Sequence, residues 1–113
     1  MNIDQIISGF KTFHKEYYIN RPGFYKSLVE KGQNPKVMVI ACSDSRVNPS
    51  LIANAEPGDI FVVRNVANLV PPYDPNTNYL GTSACIEFAI QDLGVRHIIV
   101  LGHSHCGGIK RLC

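Results

Sequence analysis

The sequence predicts an α/β fold: a parallel β-sheet core with helices on both faces, preceded by N-terminal helices. The first observation behind this is the alternation of short, unbroken apolar runs, Val37–Ala41, Ile60–Val63 and His97–Leu101, with helical patterns. Strands buried on both faces of a parallel sheet read in this way. The second is that two of these runs end in chemistry-bearing residues. One delivers Cys42, Ser43, Asp44, Ser45 and Arg46, and the other His103, Ser104, His105 and Cys106. Parallel sheets present ligands at the carboxyl ends of their strands, where the winding reverses.

With 113 residues and 45% hydrophobic content, the chain fits one domain of ordinary globular composition. A boundary near residue 35 divides an N-terminal helical arm, 1–35, from an α/β core, 36–113. The formal net charge of +2 is spread along the chain without like-charge blocks, so neither nucleic acid nor an anionic membrane surface is expected as a partner. No apolar run approaches the roughly 18 residues of a membrane span, and Met1–Gly9 lacks the pattern of a secretion signal. A cytoplasmic protein is the expectation. Irregular spacing of the four cysteines argues against a disulfide framework. Cys85 fits core packing as a small hydrophobe, and Cys113 carries no readable signal.

In the arm, Ile3, Ile6, Ile7, Phe10, Phe13 and Tyr17 recur at helical spacing, and Asn2 with Gln5 forms a capping-box pattern. A helix over Ile3–Tyr17 is predicted. A second, with Phe24, Leu28 and Val29 as its apolar face, follows Arg21 and Pro22 and ends near Gly32. His14, Tyr17, Tyr18 and Tyr25 fit packing rather than chemistry. In the core, the first strand runs Val37–Cys42. Asn48 and Pro49 read as an N-cap and first helical position, opening a short helix through Ala53. Pro57 and Gly58 mark a turn before the second strand, Ile60–Val63. Pro71, Pro72 and Pro75 make 65–78 a long loop or arm. Leu80, Ala84, Ile86, Phe88, Ala89, Ile90 and Leu93 predict a buried helix stopping at Gly94, and His97–Leu101 is the third strand.

An extended Cys42-x-Asp44-x-Arg46 would place all three side chains on one face. His103 and Cys106, as H-x-x-C on a turn, suit binding of one zinc ion, with Cys42 as a third ligand from the neighbouring strand. Two thiolates and one imidazole leave a fourth position for water or Asp44, the ligand count of a catalytic site. Zinc there would acidify water to a pKa of about 7 in a favourable setting. Arg46 can hold Asp44 off the metal in a bidentate fork. If that pair breaks, Asp44 can close the site. Taken singly, Cys42 reads as a buried thiol and Asp44 with Arg46 as a surface salt bridge; H-x-x-C at a second strand end shifts the balance to metal. His105 is expected in a structural or solvent role. Gly107 and Gly108 would let backbone approach the site or open a helix.

Ala41–Val47 (ACSDSRV), Glu56–Asn68 (EPGDIFVVRNVAN) and Gly102–Ile109 (GHSHCGGI) resemble the beta-class carbonic anhydrases in motif, order and spacing. The resemblance covers the chain from Gln33 onward. It implies reversible hydration of carbon dioxide to bicarbonate and a proton, with Zn2+ on Cys42, His103 and Cys106. It also makes Asp44 and Arg46 a catalytic pair gating the fourth position. Gln33, Phe61 and Val66 fall where plant-type members line the substrate pocket, and Gly107 is a further candidate contact. The amide of Gln33 would orient bicarbonate, and Phe61 and Val66 would offer carbon dioxide an apolar surface. Phe88 stands where some members carry tyrosine. Val39 stands where members with a noncatalytic bicarbonate site carry tryptophan, which argues against that mode of inhibition despite Arg64. A homodimer or larger homo-oligomer is implied. Family members are longer, so the C-terminal part of the family fold is expected to be missing. The competing readings are a truncated, noncatalytic zinc-binding subunit pairing with a full-length partner, and a zinc hydrolase acting on another substrate.

Overall fold

The computed structural model describes residues 1–76 and 81–113, in two compact units, Met1–Gln33 and Asn34–Cys113. Asn78, expected to close the proline-rich loop, and Leu80, expected on a buried helix face, lie outside the described residues. No helix among the described residues is long and apolar enough to cross a membrane.

In the first unit, α1 (Ile3–His14) opens with the anticipated capping box. Gln5 N donates to Asn2 Oδ1 at 2.9 Å, and Asn2 N donates to Gln5 Oε1 at 2.7 Å, so two otherwise orphaned amides are satisfied. The helix does not continue to Tyr17 in α form. Lys15–Ile19 makes a wider π-helical turn, closed by Asn20 N donating to Lys15 O at 2.8 Å. Beyond it α2 (Phe24–Lys31) ends at Gly32, whose φ of 75° favours a residue without Cβ. Aromatic rings join these helices: Phe13 lies 5.1 Å from Tyr17 and 5.7 Å from Tyr25, and Tyr18 stacks on Tyr25 at 4.9 Å. The stripe Ile3, Ile6, Ile7 and Phe10 is exposed.

The second unit runs β1 (Val37–Cys42), α3 (Pro49–Ile52), β2 (Ile60–Asn65), α4 (Thr82–Glu87), β3 (His97–Leu101) and α5 (Gly107–Leu112). The strands form a parallel sheet in the order β2-β1-β3. Asn48 caps α3 through Oδ1, which accepts from Ser50 N and Leu51 N. A π-helical turn, Phe88–Asp92, continues α4, and Gly94 at φ 64° ends it. Met38, Ile40 and Ala89 form the core, joined by Phe61, Val63, Cys85, Ile86 and Val95. Cys85 therefore packs as a small hydrophobe.

β1, the central strand, alone has the expected burial on both faces. β2 runs to Asn65, past the expected Val63, since its ladder with β1 continues to the Cys42–Asn65 pair. β3 departs from expectation. Ile98, Ile99 and Val100 are 42%, 48% and 52% exposed, because little among the described residues packs over the faces of β3, whereas β2 lends Phe61 and Val63 to the core.

These environments predict unequal costs of truncation. Met38→Ala, at a fully buried position, should lower unfolding free energy by about 2–5 kcal/mol, and Ile99→Ala, half exposed, by clearly less. Urea denaturation of both variants checks this, and the opposite ranking would contradict β1 as the central strand.

Candidate metal centre

Parallel pairing of β1 with β3 sets Ala41 opposite Leu101. Cys42 leaves β1 beside the loop that carries His103, Ser104, His105 and Cys106 into α5. The ligand atoms of Cys42, His103 and Cys106 all lie within 4.8 Å of one another, with the two sulfurs 3.8 Å apart. That separation excludes a disulfide. Two Zn–S bonds of about 2.3 Å at a tetrahedral angle place their sulfurs about 3.8 Å apart, so the thiols fit one zinc ion. His103 adds a second indication. Its Nε2 is buried without a hydrogen-bond partner, while Nδ1 lies 2.9 Å from Ser104 O. Since a carbonyl only accepts, Nδ1 carries the hydrogen and Nε2 keeps its lone pair towards the thiols, as a metal-binding imidazole does.

Without metal Cys42 and His103 perturb one another. The neighbouring His103 ring, followed by the amides of Ala67 and Asp44, pulls the Cys42 thiol down to about 6 against the opposing effect of burial. His103 shifts upward, chiefly through Cys42.

Asp44 does not lie on an extended strand with Cys42 and Arg46. Its segment turns, with Val47 N donating to Asp44 O at 3.1 Å. The turn arises because Asn48 and Pro49 begin a helix at once and the chain must reverse direction. It still brings the pair together: Arg46 Nε donates to Asp44 Oδ1 at 3.0 Å and Arg46 Nη2 to Oδ2 at 2.7 Å, while Arg46 N also donates to Oδ1 at 2.8 Å. These bonds hold the Asp44 carboxyl well below the usual carboxylate range. Asp44 Oδ2 stands 3.9 Å from His103 Nε2, on the border of the ligand cluster. His105 contributes backbone, its carbonyl accepting from Arg46 Nη2 at 3.2 Å, and its φ is 53°.

The other candidates are placed differently. Phe61 packs in the Met38–Ile40–Ala89 core, its ring 5.7 Å from that of Phe88. Val66 is exposed, and Gly107 has open space where a Cβ would stand. Gln33 is exposed at the end of the first unit. Sequence reasoning missed the part played by Ala67, which is fully buried at φ 75° and whose N–H donates to Cys42 Sγ at 3.4 Å. It also missed the reach of the Arg64 side chain. Gly108 does provide the close approach expected of it: a Cβ there would fall 2.6 Å from Val66 Cγ1 and 2.9 Å from Ala67 N. Only a glycine run after Cys106 hinted at this in the sequence.

A Cys2His cluster at the carboxyl ends of parallel strands, able to hold a metal ion, sits on an α/β fold. A family model described as carbonic anhydrase matches residues 37–113, and the chain belongs to that family. It is 49% identical over 110 residues to beta carbonic anhydrase 3 of Arabidopsis thaliana, covering 97% of this chain and 42% of the relative. The beta-carbonic anhydrase CcaA superposes with a TM-score of 0.87 at 41% identity, over 97% of this chain and 52% of that one. A tetrameric beta-carbonic anhydrase of Sordaria macrospora gives 0.82 at 39% identity, over 96% and 52%. The chain thus spans about half the length of these relatives or less.

Zinc binding is expected at one ion per chain, with Cys106→Ala losing occupancy by metal analysis. The thiols must be ionised and His103 neutral to bind, so affinity should fall on acidification. Protonation of His103, shifted above its ordinary range, begins the loss, and it steepens as pH falls through about 6, where Cys42 takes up its proton. Competition titrations with a chromophoric chelator between pH 5 and 8 would measure it; a flat profile would contradict the assigned ligands.

Proposed function

We propose that the chain carries the zinc-binding half of a carbonic anhydrase site, serving reversible hydration of carbon dioxide to bicarbonate and a proton. The observation that supports this best is the Cys42–His103–Cys106 cluster with the Asp44–Arg46 fork at its border. Cys42, His103 and Cys106 would hold the ion, which when bound supplies a Lewis acid that makes water a nucleophile near neutral pH.

The chain's own residues account for the rest. Asp44 stays ionised through Arg46 and offers Oδ2, facing His103, as a hydrogen-bond acceptor for the nucleophile. Its fork with Arg46 keeps the carboxylate from taking the fourth position itself. Ser104 O fixes the His103 tautomer. In this reading the exposed Val66 gives carbon dioxide apolar surface, and Gly107 leaves room beside the site. A homo-oligomer is the proposed assembly, in keeping with the tetrameric relative from Sordaria macrospora. The exposed apolar face of β3 favours a second reading, in which the chain binds zinc without turnover and pairs with a longer partner.

Stopped-flow hydration of carbon dioxide by the zinc-loaded chain, alone and mixed with a longer relative, separates these readings. Arg46→Ala should lower turnover about 10- to 100-fold with zinc retained, the usual cost of losing an outer-shell partner. Asp44→Asn should impair turnover while leaving the fourth position open, because an amide is the poorer ligand. Near-normal turnover in Arg46→Ala would reduce the pair to a structural salt bridge.

A further inference from the structure

Asp44 is reached by two arginines, and the reading above uses only Arg46. Arg64 sits on β2 opposite Ala41 of β1. Phe61 and Val63 of the same strand pack into the core, so Arg64 projects from the alternate face. Its guanidinium gathers three carbonyls of the segment leaving β1: Nε donates to Cys42 O at 2.8 Å, and Nη2 donates to Asp44 O at 2.8 Å and also to Val47 O. No carboxylate among the described residues pairs with it. A cation that spends its donors on neutral backbone, with an Asp–Arg pair close by, fixes a conformation rather than a charge.

The three acceptors are spaced along the turn. Cys42 is the last residue of β1, Asp44 bears the carboxylate, and Val47, itself buried, leads into the Asn48 cap of α3. Two further bonds close the same turn, Ser43 N to Asn65 O at 2.9 Å and Val47 N to Asp44 O at 3.1 Å. Arg46, by contrast, has a side chain 66% exposed, and an exposed ion pair is weak by itself. The fork therefore needs a backbone already in place. The planar guanidinium serves the three carbonyls from two separate nitrogens held in a fixed fork; an ammonium has its three donors on one nitrogen at the end of a flexible stem, and an amide has two hydrogens.

We infer that Arg64 is a positioning residue: by holding the carbonyls of Cys42, Asp44 and Val47 it sets the turn that keeps Asp44 in the Arg46 fork beside the metal ligands. The inference rests on the metal-centre reading only for its consequence, since the hold on the turn is a property of the chain itself.

Amide hydrogen exchange by NMR on the metal-free 113-residue chain tests that hold. In Arg64→Gln the amides of Ser43, Arg46 and Val47 should exchange about 10-fold faster or more, because local opening no longer has to break the guanidinium contacts. Those of Met38–Ala41 should be unchanged. Arg64→Lys, which keeps charge without the fork, should show the same pattern and serves if the glutamine variant folds poorly. Equal acceleration of β1 and the turn, or none in either variant, would overturn the inference. Cobalt(II) loading then reads the consequence. Arg64→Gln should alter the d–d absorption of the bound ion in an Asp44 chain but not in an Asp44→Asn background, since coupled residues are non-additive. An equal change in both backgrounds would overturn positioning through Asp44. Failure of the unmutated chain to take up cobalt would instead count against the metal-centre reading, with the exchange result still deciding the role of Arg64.

Discussion

Burial of β1 between its two parallel neighbours is the constraint from which the rest follows. Met38, Val39, Ile40, Ala41 and Cys42 are all buried, so the register of this strand cannot slip by one residue without exchanging the faces of every side chain. Once register is fixed, the end of β1 is fixed as well. Cys42 pairs with Asn65 of β2, and Ala41 with Leu101 of β3. The thiol thus stands between the turn after β2, which brings Ala67, and the loop after β3, which brings His103 and Cys106. A sheet with this order has no other place where all three meet.

That meeting is costly without an ion. A small cluster of Cys42, Ala67 and Cys106 is buried together, yet it holds two thiols at 3.8 Å and an imidazole nitrogen without a partner. An unpartnered buried nitrogen disfavours the folded state. A metal bound there would satisfy all three donors, so its binding free energy becomes folding free energy. The core built on Met38 and Ile40 is separate from this cluster. It gives the sheet stability that does not depend on the site.

What could be read from the sequence follows the range of each signal. Helix caps are local, so Asn2 with Gln5 and Asn48 with Pro49 were legible from neighbouring residues. The clustering of Cys42, His103 and Cys106 was legible because H-x-x-C and an apolar strand ending in cysteine state donor type and placement together. Burial of β3 was misjudged because an apolar run reports composition, while exposure depends on what packs over the faces of the strand. Extension through Asp44 and Arg46 was misjudged for a related reason: the helix opened at Pro49 forces a reversal that strand periodicity does not anticipate. Arg64 was legible as a residue but not as a clamp, since its acceptors lie 17 to 22 positions away and are backbone carbonyls without sequence identity.

Strain is concentrated next to the thiol, and its distribution has a physical logic. Ala67 holds φ at 75°, a conformation that costs an L-residue with a Cβ about 1–2 kcal/mol, and Asn68 follows at 45°, where asparagine is tolerated. Glycine at 67 would remove that penalty, but it would also give up the methyl group that lies against Gly108 and helps seal the cluster. The conformation is useful because it turns the Ala67 N–H inward to Cys42 Sγ, favouring the charged sulfur. Gly108 supplies the complement, since any Cβ there would meet Ala67 N and push the turn off the sulfur. Local backbone preference is thus set aside at two facing positions, and what both serve is a single hydrogen bond to the ionised form of Cys42.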